Sequence, residues 1–118
     1  GMGSNVQTTK TVAVTASQQV NDIIVTYQGG PDANVVKHLR VEVTPSTGDG
    51  VTTYYGAQGD GTEISGSVIA DVSASEAGKI PAGSNWKYSG KGTSGKDHVV
   101  VAAHFSDGSD QVVLDTFV

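Results

Sequence analysis

Polar and apolar residues alternate with a period of two in several stretches of this chain. The cleanest stretch is Lys37–Thr44, where Leu39, Val41 and Val43 share one face and His38, Arg40, Glu42 and Thr44 the other. That pattern predicts a strand packed on one side and wet on the other. Upstream, Val12, Val14 and Ala16 alternate in the same way and predict the first strand. A turn over Gln18–Asp22 leads to a second strand, Ile23–Gln28, with Ile23, Val25 and Tyr27 on one face and Ile24 and Thr26 on the other. Gly29-Gly30-Pro31-Asp32 stops it, because Pro31 has no N–H and restricts the residue before it. Ala33–Val36 is predicted to carry the chain from one sheet to another.

Val51–Tyr55 reads as a short strand ahead of a glycine-rich turn at Gly56–Gly61. Ser65–Val72 admits two readings: a strand with Val68 and Ala70 in register, or a helical turn running on into Ser75-Glu76-Ala77. The strand is preferred. Gly78–Gly95 is predicted to be mostly loop, holding Trp86 and Tyr88 and ending in a flexible tip at Gly90–Gly95. Two β-rich runs then flank Ser106-Asp107-Gly108-Ser109, where Asp-Gly marks a tight hairpin because glycine takes positive φ without penalty. That closing hairpin predicts that the globular body is finished at Val118. About seven short strands with frequent turns are the mark of an all-β, immunoglobulin-like antiparallel sandwich. The expected organisation is a flexible segment over residues 1–9 and one sandwich domain over 10–118.

Composition agrees. The chain has 118 residues, enough for one sandwich core and not two. Sixteen glycines and an excess of Thr, Ser and Val favour strands and turns over helices. There is no cysteine, hence no disulfide, thiol nucleophile or thiolate metal site. A net charge of −5 would repel nucleic-acid phosphates and anionic lipid, so neither is an expected partner. Only 16% of residues are charged, and a polar face of Thr, Ser, Gln and Asn is common in exported proteins. No run is apolar and long enough to span a bilayer or form a signal-peptide core. Gly1-Met2-Gly3-Ser4 reads either as a cloning scar or as the start of a fragment, and the fragment is favoured.

Candidate chemistry is sparse. His98 and His104 share a strand face but stand roughly 20 Å apart, too far to bind one zinc. His38 lies on the outer face of another strand and has room to neighbour one of them, but two ligands do not make a site. Asp49-Gly50, Asp60-Gly61, Asp107-Gly108 and Asp110 suggest calcium, yet lack the loop spacing and distal Glu of a calcium hand; turn chemistry accounts for them. Glu42, Glu63 and Glu76 show no pairing for glycosidase work, and no nucleophile elbow accompanies the many serines. Gly59-Asp60-Gly61 and Gly90-Lys91-Gly92 lack the strand-to-helix setting of a phosphate loop. No catalytic, cofactor or metal site is therefore expected. Trp86, Tyr88, Tyr54 and Tyr55 remain as a candidate sugar-stacking platform; the competing reading has Trp86 plugging the open end of the sandwich.

Three segments resemble the soluble head domain of archaeal type IV pilins. They are Val12–Ser17 leading into Asp22–Asp32 with its Gly-Gly-x-Asp turn, then Leu39–Val43, then Val99–Val118 with its Phe-x-Asp-Gly hairpin. The likeness covers most of residues 11–44 and 97–118, and residues 45–96 carry no family signature. It implies a short leader and one hydrophobic helix ahead of this domain, packing with its copies into a filament core. The domain itself would then be a non-catalytic, extracellular coat serving adhesion to a surface or glycan, made from a membrane-inserted precursor. Residues 1–4 would preserve the end of that helix. The rival expectation is an extracellular carbohydrate- or ligand-binding module using Trp86 and the nearby tyrosines.

Overall fold

Eight strands follow one another along the described residues: β1 (Ala13–Gln19), β2 (Asp22–Gly29), β3 (Val36–Thr44), β4 (Thr52–Gly56), β5 (Ile64–Ser65), β6 (Asn85–Tyr88), β7 (His98–Phe105) and β8 (Asp110–Phe117). The computed structural model describes residues 10–48, 50–56, 64, 65, 80, 82–88 and 90–118. The predicted flexible segment 1–9 lies outside them. So does the segment read as strand or helix, apart from Ser65, which belongs to β5.

Two sheets result, ordered β1-β2-β6-β5 and β4-β3-β7-β8. The chain crosses between them after β2 through a single 3₁₀ turn at Ala33–Val35, where the sequence predicts a crossover. This strand order is that of an immunoglobulin-like sandwich. One departure is β5, a two-residue strand that runs parallel to β6. All other pairings are antiparallel.

The alternation seen in sequence is the packing code. In the second sheet Val41 pairs with Val101, Val43 with Val99 and Leu39 with Ala103, and all six are buried. In the first sheet Ile23 pairs with Tyr88 and Val25 with Trp86, again with all four buried. Val14, Tyr27, Val36 and Phe105 complete the interior, and Leu114 packs against it from the edge while remaining partly exposed. Because successive side chains point to opposite faces, His38, Arg40 and Glu42 are left on the outer face. The closing turn forms as predicted: the Gly108 N–H donates to the Phe105 carbonyl at 2.9 Å, with Gly108 at φ 89.

One expectation is corrected. Asn85–Tyr88 is not loop but β6, paired along its length with β2. Aromatic side chains two apart suit a pleated, buried strand, and the turns on either side confine it to four residues. Trp86 is the largest fully buried side chain of the domain, 1% exposed. Trp86→Ala should therefore lower stability by about 3–5 kcal/mol, the usual cost of emptying an aromatic site in a core. Urea denaturation followed by far-UV circular dichroism measures it.

Candidate functional site

Short turns and loops at one end of the sandwich are tied together more tightly than glycine-rich sequence suggests. The loop Gly90–Asp97 between β6 and β7, whose residues Gly90–Gly95 are predicted as a flexible tip, is stapled on three sides. Its Gly90 N–H donates to Asp22 Oδ1 at 2.9 Å and its Gly92 N–H to the Asn21 carbonyl at 2.8 Å. Gln18 Nε2 bridges the turn and the loop, donating to the Val20 carbonyl at 2.8 Å and to that of Thr93. Gly92 lies so close that a Cβ there would sit 2.7 Å from the Gln18 amide carbon and would push that amide aside.

The knot of this arrangement is Asp97, which is fully buried. Its carboxylate accepts from the Ser46 N–H at 2.9 Å, the Thr93 N–H at 2.7 Å and the Thr93 hydroxyl at 2.6 Å. Burial on its own would raise the Asp97 pKa. The three donors outweigh burial and hold it below the ordinary carboxylate value. The Asp97 main chain also exchanges hydrogen bonds with Val118 at 2.9 and 3.0 Å. Loops from both sheets thus meet at one acid.

Beside this knot lies an open depression of about 340 Å³, lined by Gln18, Val20, Thr93, Ser94, Lys96 and Val118, among others. Val20 stands out. It occupies the first position of the two-residue β1–β2 turn at φ 58, a conformation β-branched residues rarely adopt, and it is 88% exposed. Positive φ at that position alone is the pattern of a II′ turn, whose usual occupant is glycine. Gln18 Oε1 is buried with no donor among the described residues. Lys91 and Lys96 are exposed, and among the described residues neither has an acidic partner.

The histidines lie elsewhere, on the outer face of the second sheet. His38 does neighbour another histidine: its ring stacks on that of His104, 4.7 Å between centroids and 19° from parallel. Burial, then the nearby His104, holds the His38 pKa below its ordinary value. His104 Nδ1 lies 2.8 Å from Asp110, and at the far end of β7 His98 Nε2 lies 2.6 Å from Asp115 while stacking on Phe117. Asp110 is therefore a histidine partner and Asp107 a turn-former. Among the described residues no three His, Asp or Glu side chains are arranged to hold a metal ion. Glu42 sits 3.6 Å from Arg40 on the same face. Glu63, Glu76, Asp49 and the Gly59–Gly61 segment lie outside the described residues.

The aromatic platform read from the sequence is not assembled. Trp86 and Tyr88 are core residues of the first sheet, each 1% exposed, with no ring face open to a sugar. Tyr54 and Tyr55 belong to β4 in the other sheet, opposite Val41 and Arg40; the described side chains do not include theirs. Sequence reasoning missed Val20, Gln18, Thr93, Lys96 and Asp97. The one available signal was a valine standing in a turn between polar neighbours. Comparison with protein-family models, curated proteins and solved structures yields no match.

Two outcomes follow from this geometry. Val20→Gly should stabilise the domain by about 1 kcal/mol by relieving backbone strain, seen as a higher denaturation midpoint. Asp97→Asn should cost about 1–3 kcal/mol at neutral pH, because it turns an acceptor of three donors into a poorer one. A depressed carboxylate contributes stability that is present above its unfolded pKa and is lost as pH falls through the folded one. The gap between Asp97→Asn and the parent should therefore narrow below about pH 4 in a pH series of unfolding curves.

Proposed function

We propose that this chain is the non-catalytic outer domain of an extracellular filament subunit of the type IV pilus kind, serving adhesion. In this reading a hydrophobic helix preceding the domain packs with copies of itself in the filament core and holds the precursor in the membrane before assembly. The observation that carries the proposal is how the chain arrives at the sandwich. The Lys10 N–H donates to Gln111 Oε1 at 3.2 Å, and Gln111 Nε2 donates back to the Lys10 carbonyl at 2.6 Å. Lys10 Nζ also pairs with Asp107 at 2.9 Å and lies 5.0 Å from the centre of the Phe105 ring. The Ser109 hydroxyl, Lys10 and the Ser109 N–H keep the Asp107 carboxyl well below its ordinary value, so it is a carboxylate at any neutral pH.

The clamp sits at the β7–β8 turn. The depression sits at the opposite end, the length of an eight-residue strand away, about 25 Å. A domain held at one end, with an ordered cluster of loops at the other, suits a subunit anchored inward and presenting outward. The segments that resemble pilin heads also fall on paired strands: β1 on β2, and β3 on β7 beside β8.

The test is made in the source cells. Antibodies raised against the domain should label surface filaments along their length in electron micrographs, and the coding sequence upstream of Gly1 should specify a short basic leader and about 20 apolar residues. Label confined to the cell interior, or an upstream soluble domain, overturns the reading.

A further inference from the structure

Three independent irregularities coincide at the loop end of the sandwich. A depression of about 340 Å³ opens there. A valine that stability alone would replace by glycine stands at its rim, strained and 88% exposed. The loop beside it carries Lys91 and Lys96 with no exposed acid between Gly90 and Lys96, in a chain whose net charge is −5. Backbone strain and an unprotected apolar side chain are costs that folding does not require. Hydrogen bonds donated by Gln18 and accepted by Asn21, Asp22 and Asp97 hold the rim in one arrangement, so a ligand meets a site already organised.

We infer that this depression binds a carboxylated sugar residue of a glycan, with Lys96 meeting the carboxylate and Val20 packing against the ring. The chemistry of the rim narrows the class. Lys96 calls for an anion, Val20 and Val118 for a C–H face, and Ser94 for hydroxyl groups; a pyranose bearing one carboxylate offers all three. A polyanion is disfavoured, because the acidic remainder of the domain repels closely spaced charges. Trp86 and Tyr88 take no part, being buried. This assignment names the contact and ligand class of the adhesive role and rests on that reading for its biological setting.

The experiment is a titration of the 118-residue chain, followed by amide NMR shifts, with a trisaccharide ending in glucuronate. Shifts should be confined to Gln18–Asn21, Thr93–Lys96 and Val118. Lys96→Glu should weaken binding at least about tenfold, as should a neutral trisaccharide of equal size, each removing one charged contact. Val20→Gly should weaken binding severalfold while the fold becomes more stable, which separates lost contact from lost structure. No shift at millimolar sugar, shifts centred elsewhere, or binding indifferent to Lys96→Glu overturns the assignment. Equal binding of tetraglutamate at the same residues makes it a peptide site and likewise overturns it. Sugar binding without filament labelling leaves the site standing and removes its proposed setting; labelling without sugar binding does the reverse.

Discussion

The ladder between β3 and β7 is the constraint on which the rest of the domain hangs. Val36, Leu39, Val41 and Val43 on one strand meet Phe105, Ala103, Val101 and Val99 on the other, every one of them buried. A slip of one residue would turn His38, Arg40 and Glu42 into the interior and the valines into water. No other register is affordable. With that pair in place at the centre of the second sheet, β4 and β8 have only one way to add at its edges, and the first sheet packs on its apolar face.

At the ends of the strands a different kind of interaction takes over. The interior offers little there, so polar groups organise the chain. Asp97 gathers donors from the β3–β4 loop and from its own loop, and its main chain pairs with Val118. Lys10 and Gln111 do the corresponding work at the other end. Apolar burial gives the sandwich its body, and a few well-satisfied polar contacts give its two ends their separate characters.

Legibility in the sequence followed the same division. β1, β2 and β3 could be read directly because burial on one face writes a period of two into the residues, and β7 and β8 because two β-rich runs flank an Asp-Gly turn. β6 escaped notice because four residues between turns are too few to display a period, and because a lone tryptophan invites a functional reading before a structural one. The candidate site was hardly legible at all. Its parts are drawn from the β1–β2 turn, the loop after β6 and the end of β8, up to a hundred positions apart, and only folding makes them neighbours. Nothing in the local sequence of Asp97 distinguishes it from a solvated loop acid. What makes it the hub is that Ser46 and Thr93 reach it from separate loops.

The way β1 is built in has a mechanical consequence. It begins beside the Lys10 clamp at one end of the sandwich and finishes at Val20 at the other, matched to β2 through seven residue pairs. Tension entering at Lys10 and leaving through the rest of the sheet would run parallel to β1, so its hydrogen bonds to β2 would be loaded in shear together rather than unzipped in turn. Such a strand resists extension far better than one peeled from its tip, and the domain is thereby suited to transmit load lengthwise.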